Sequence, residues 1–108
     1  MTKEELKKQY CIPAEILNKY EKYRKCDSFG ETDAENISML MTLYAAGFDD
    51  TEAKKYMELC FSGYDTSSER TKMLEKKRKD TLFDIHVKQK QLDGIDYLRY
   101  KISRENKL

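Results

Sequence analysis

From Ser67 to Arg104 the chain runs without a proline, and only Gly94 interrupts its helix-forming residues. Such a run predicts one helix of roughly 55 Å at 1.5 Å per residue. The residues that precede it are too few to cover it along its whole length. Its apolar positions are Leu74, Leu82, Ile85, Leu92, Ile95, Leu98 and Ile102. Positions 74, 81, 88, 95 and 102, together with 85 and 92, follow a heptad seam interrupted by Arg78, Thr81, Lys88 and Arg99. A seam of this period suits a contact between two helices. With one long helix per chain, the expected partner is the same helix of a second copy, which makes these residues the predicted dimer interface. The plainer alternative folds the helix back along the residues before it.

Those earlier residues are dense in helix punctuation and nearly free of strand signals. "TKEELKKQY" (2–10) predicts a short first helix with Leu6 and Tyr10 on one face. Pro13 suits the first turn of a second helix, about 13–25, that turns Ile16, Leu17 and Tyr20 inward. After the loop "DSFGE", Thr32 and Glu35 form a capping box. It opens a helix carrying Ala34, Ile37, Leu40, Met41 and Tyr44, and Gly47 ends that helix. Asp49 and Glu52 form a second box for a helix reaching about Phe61, Gly63 ends it, and Thr66 with Glu69 forms a third box. The expected architecture is all-α, with a helical head over 1–64 and the long helix over 65–108. Gly94 costs that helix about 1 kcal/mol against Ala unless another backbone passes close.

The net charge of +1 supplies no blanket field for nucleic acid, but the charge is unevenly placed. Residues 1–26 carry net +3, residues 27–68 net −7 and residues 69–108 net +5, so any DNA contact is expected at the ends. Three cysteines without CxxC spacing, no signal peptide and no apolar run of membrane-spanning length lead to the expectation of a reducing, cytoplasmic compartment without membrane contact. Cys11, Cys26 and Cys60 fit structural cysteines better than metal ligands. His86 stands alone at Asp84+2, on a different helix face from that acid. The KKRK run at 76–79 reads as a solvated face. No nucleophile–base pair or phosphate-binding glycine loop occurs, so neither an enzyme nor a cofactor or metal is expected.

Four short helices with these breaks, followed by a long one, resemble the MerR family of bacterial transcription regulators. The nearest stretch is "MTLYAAGFDDTEAKKYM" (41–57). Ile37, Leu40 and Leu43 supply the family's spaced apolar residues, Gly47-Phe48 its turn, Asp49 the cap and Glu52 the second acid. "EELKKQYCIPAEILNKYEKYRKC" is similar to the family's helix-turn-helix, with Ile12 at the turn, Leu17 at the buried Leu, Tyr20 at the second Tyr and Glu21 at the Glu. The long helix resembles the antiparallel coiled coil by which that family dimerises. The departures are Asn18 and Lys19 at the Arg-Tyr positions, Glu15 in place of an outward Arg, a wing reduced to "DSFGE", and the acidic pair Asp49-Asp50.

The resemblance implies a homodimeric DNA-binding transcription regulator. Its candidate DNA surface is Asn18, Lys19, Tyr20, Lys22, Tyr23, Arg24 and Lys25, where cations neutralise phosphates and Asn18 reads an adenine edge. The alternative for this surface is an ordinary solvated helix face. The alternative for the whole chain is a dimer of the same fold that has given up DNA and binds a protein partner through its acidic middle.

Overall fold

The computed structural model describes residues 1–24 and 28–105. They form five helices, and no strand occurs among them: α1 (Lys3–Tyr10), α2 (Ala14–Tyr23), α3 (Glu31–Ala45), α4 (Asp50–Cys60) and α5 (Ser67–Glu105). The protein is all-α. It divides into two compact units, Met1–Arg70 and Thr71–Leu108, so α5 contributes its first turn to one unit and the rest to the other.

In the first unit α2, α3 and α4 pack on one another. Their apolar faces close a core in which Leu6, Leu17, Tyr20, Ile37, Leu40 and Met57 are fully buried. Thr2 caps α1 by accepting the Glu5 N–H at 3.2 Å. Leu6 is buried as its spacing predicts, but Tyr10 is 43% exposed. The cause is local: Cys11 takes the left-handed conformation (φ 53°) and reverses the chain one residue later. Ile12 becomes the buried residue of that corner in place of Tyr10. Pro13 sits just outside α2 as its N-cap, because a residue without an N–H suits the first, unpaired position. Ile16, expected inside, is only partly buried.

The start of α3 differs from the Thr32–Glu35 box expected for it. The helix begins at Glu31 with Gly30 as its cap, and the Asp33 carboxylate reaches back to accept the Gly30 N–H at 2.9 Å. Asp33 is nearly fully buried, whereas Thr32 and Glu35 are exposed. An ionised carboxylate is the stronger acceptor at a helix N-terminus, where it also meets the positive end of the helix dipole. Farther along, Ile37, Leu40 and Leu43 form the buried stripe of α3, and Ala34, Met41 and Tyr44 lie at its edge.

The stop and restart at residues 46–50 is a helical hairpin. The Gly47 N–H donates to the Tyr44 carbonyl at 3.0 Å and the Phe48 N–H to the Leu43 carbonyl at 3.0 Å, which satisfies carbonyls the helix end would leave unpaired. Gly47 reaches φ +93°, and Phe48 turns inward to meet Tyr56 edge-on, ring centres 6.4 Å apart. Asp49 and Glu52 close the expected reciprocal box, with bonds of 2.8 and 3.1 Å. Thr66, expected to cap α5 with Glu69, is instead buried; its hydroxyl donates to the Leu59 carbonyl at 2.9 Å and accepts from Arg70 Nε at 3.0 Å.

In the second unit α5 continues as a single helix to Glu105, close to the expected end, and none of its residues is buried. Gly94 has nothing within 4 Å of where a Cβ would stand, so no backbone approach accounts for it.

Two glycine substitutions therefore have opposite signs. Neither Gly47 nor Gly94 has a neighbour that an added Cβ would strike, so backbone conformation alone decides. Gly47→Ala forces a side chain into positive φ and lowers stability by about 1–2 kcal/mol. Gly94→Ala raises the stability of α5 by about 1 kcal/mol. Urea unfolding followed by circular dichroism measures both, and a stabilising Gly47→Ala would contradict the turn described.

Candidate nucleic-acid interface

Helix α2 has a buried side, Leu17 and Tyr20, and an opposite side on which Glu15, Asn18 and Lys22 are exposed. Around it, α3 and α4 form a cleft of about 610 Å³ whose lining includes Lys19, Lys22, Tyr23, Tyr44, Asp50 and Lys54. Both sequence-predicted lysines of α2 and one of its tyrosines thus reach one concave surface.

Within that cleft Lys19 is committed. Its ammonium donates to Asp50 Oδ1 at 2.9 Å, lies 3.6 Å from Glu15 and stands 4.4 Å from the centre of the Tyr44 ring. The Tyr44 hydroxyl donates to the same Asp50 oxygen at 2.8 Å. The Lys19 hydrogen bond and then that of Tyr44 hold the Asp50 carboxyl below the usual carboxylate range. In return Asp50 raises the Lys19 pKa, so both remain charged at neutral pH. Burial is the main cause of the raised Tyr44 pKa, with the bond to Asp50 next. Asp50 is the first residue of α4, where the helix dipole also favours its charge. The result is a clasp that joins α2 to α3 and α4.

Tyr20 does not belong to any surface. It is fully buried, and its hydroxyl donates to Asp33 Oδ1 at 2.6 Å. Burial, then this hydrogen bond, pushes its pKa up to about 12. Its assignment as a DNA contact is corrected: an aromatic at the inward spacing of α2 supplies core volume, and its polar tip is satisfied inside. Arg24 pairs with the same Asp33 oxygen at 3.0 Å, so its charge faces a buried carboxylate as well as solvent. Burial alone would raise the Asp33 pKa. The Tyr20 hydroxyl, the Gly30 N–H and the Arg24 charge together outweigh it and set it below the usual value.

Asn18 is exposed, and its side-chain oxygen accepts from Lys3 Nζ at 3.1 Å, while Lys3 also pairs with Glu21 at 3.0 Å. Tyr23 is half-buried at the cleft, and burial raises its pKa. Lys22 is exposed on the cleft rim. Lys25 lies outside the described residues, as does Cys26. Of the predicted surface, Asn18 and Lys22 face solvent, Lys19 and Arg24 are in ion pairs, and Tyr20 is core.

Sequence spacing does not reveal the Lys19–Asp50–Tyr44 clasp or the role of Asp33. The partners are separated by 31 positions in one case and 13 in the other, and only packing brings them together. Lys54, a further cleft cation, lies 3.9 Å from Glu58 one turn along α4.

The predicted dimer residues Leu74, Leu82, Ile85, Leu92, Ile95, Leu98 and Ile102 are all between 43% and 60% exposed. His86 is exposed on the same helix. Cys11 is exposed, and Cys60 is partly buried with Arg70 Nη1 4.0 Å from its sulfur. Among the described residues no group of three His, Cys, Asp or Glu stands together to hold a metal ion, and no helix is long and apolar enough to cross a membrane. Compared with protein-family models, curated proteins and solved structures, the chain finds no match.

Replacing Asp33 tests the internal anchor of this surface. Asp33→Asn loses the charge that holds Arg24 and weakens the acceptor for Tyr20 and Gly30, at a cost of about 3 kcal/mol at neutral pH, with the half-exposed Arg24 contributing the smaller share. Because the folded pKa of Asp33 is depressed, its contribution is complete above the unfolded carboxylate value of about 3.9 and is lost as pH falls through the folded value. Denaturant unfolding at pH 7 and pH 3 should show the gap between wild type and variant closing at the lower pH. A gap that stays constant would mean that Asp33 acts through shape alone.

Proposed function

We propose that the chain is a DNA-binding transcription regulator of the MerR-like type, acting as a homodimer. The observation that carries the reading is the build of the head. Two helices joined by a tight turn, α1 and α2, are followed by the capped α3–α4 hairpin. The buried side of α2 anchors it, and its opposite side keeps Asn18 and Lys22 in solvent. In this reading Lys22 neutralises a phosphate and Asn18 meets a base edge. Lys19 positions rather than contacts, because Asp50 and Tyr44 hold it. The uncovered α5 seam supports the dimer, since a helix bearing so many exposed large apolar residues marks an interaction surface.

A second reading is favoured by the same ion pairs. Lys19 with Asp50 and Glu15, and Arg24 with Asp33, internalise cations that a DNA surface would use, and Glu15 and Asp49 remain exposed beside them. A dimer that binds a protein partner fits that charge pattern.

The test measures binding to a random-sequence duplex pool across a salt series, with the mass in solution recorded. Lys22→Glu should weaken binding uniformly across sequences and lower the salt slope by about two, one phosphate for each protomer. Lys22 is chosen over Lys19 because reversing Lys19 would also break the clasp to α4. Unchanged affinity in Lys22→Glu would remove α2 from the interface. A wild-type dimer that ignores duplex DNA at low salt would leave the protein-partner reading standing.

A further inference from the structure

We infer that the cleft formed by α2, α3 and α4 binds a small aromatic carboxylate, its ring against Tyr23 and Phe61 and its charge on Lys22. The site lies wholly within the first unit. It stands whether or not the chain binds DNA, although Lys22 is common to both readings.

The walls come first. A cavity of about 610 Å³ is in the range that takes a small organic ligand. Three aromatic side chains line it: Tyr23 at the end of α2, Tyr44 near the end of α3 and Phe61 at the C-cap of α4. They are not equivalent. The Tyr44 ring is already engaged, with the Lys19 ammonium 4.4 Å from its centre and its own hydroxyl on Asp50. Tyr23 is half-buried and Phe61 is 40% exposed, so both keep ring surface that a flat apolar body can cover. The Lys19–Asp50–Tyr44 clasp joins the three helices, so the walls are placed before a ligand arrives and binding pays little for ordering them.

The charges select an anion. The lining holds three lysines and two carboxylates. Lys19 is held by Asp50 at 2.9 Å, and Lys54 stands 3.9 Å from Glu58. Lys22 has no ion pair among the described residues and is exposed on the rim. The surplus is therefore one positive charge, which one negative charge in the ligand satisfies. A cationic ligand would find its place filled, because the Lys19 ammonium already sits over the Tyr44 ring and on the Asp50 carboxylate. A duplex draws its affinity from many uncommitted cations. A concave wall of rings with one such cation suits a molecule small enough to enter.

The test titrates the full chain with naphthoate and, in parallel, with naphthamide and naphthylmethylammonium, which keep the rings and make the charge neutral or positive. The protein has no tryptophan, so naphthalene fluorescence reports binding directly. The expected result is one site for naphthoate with Kd below about 1 mM, and binding of the other two roughly tenfold weaker. Lys22→Gln should lower the naphthoate affinity about tenfold and leave that of naphthamide unchanged, which also reports that the variant is folded. Phe61→Ser should weaken both. Naphthoate binding that neither substitution alters would lie outside the cleft and overturn the inference. Preference for the ammonium probe would overturn the choice of an anion, and no binding of any probe at millimolar concentration would overturn the site. DNA is absent throughout, so failure here is distinct from failure of the DNA-binding proposal.

Discussion

The head of this protein is organised around one buried carboxylate. Asp33 accepts from the Tyr20 hydroxyl, the Gly30 N–H and the Arg24 guanidinium, and so fastens the middle and end of α2 to the first turn of α3. A charge taken out of water is tolerated only when such partners replace its hydration. Here they also cap a helix whose own cap residue, Gly30, has no side chain to offer. No buried side-chain polar atom among the described residues is left without a partner, which fits a core closed around this group.

From that anchor the rest of the head follows by packing. With α2 fixed on α3, Lys19, the residue before Tyr20, is presented to Tyr44, and the Gly47 reversal brings Asp50 back to meet both. Two ion-pair systems, one at Lys19 and one at the C-cap residue Arg24, therefore hold α2 on α3 and α4. They also spend two of the cations that its sequence offers to a nucleic acid. The clasp and the anchor give precise placement of a helix face at the cost of part of its positive charge. What remains uncommitted on the outer side of α2 is Lys22, while Asn18 accepts from Lys3.

The second unit obeys a different rule. Helix α5 has no buried residue of its own, so within the single chain its stability comes from backbone hydrogen bonds and local side-chain pairs. Local pairs such as Gln89–Asp93 and Arg104–Tyr100 stabilise isolated helices by only a few tenths of a kcal/mol each. The exposed isoleucines and leucines are the larger unspent contribution, and each is worth far more once covered.

Elements bounded by strong local signals were legible in the chain itself. The Asp49–Glu52 box, the Gly47 reversal, the Leu17–Tyr20 spacing of α2 and the unbroken run of α5 are set by residues within a few positions of one another, where capping and helical period act. What only the tertiary structure decided are the long-range partners: that Asp33 rather than Thr32 opens α3, that Tyr20 points its hydroxyl inward, that Ile12 replaces Tyr10 at the first corner, and that Lys19 is claimed by Asp50. Local sequence fixes where helices start and stop because each cap is a contest among neighbouring groups. Which face of a helix keeps its charges depends on what packs against it, and helical periodicity along one segment carries no record of its neighbour.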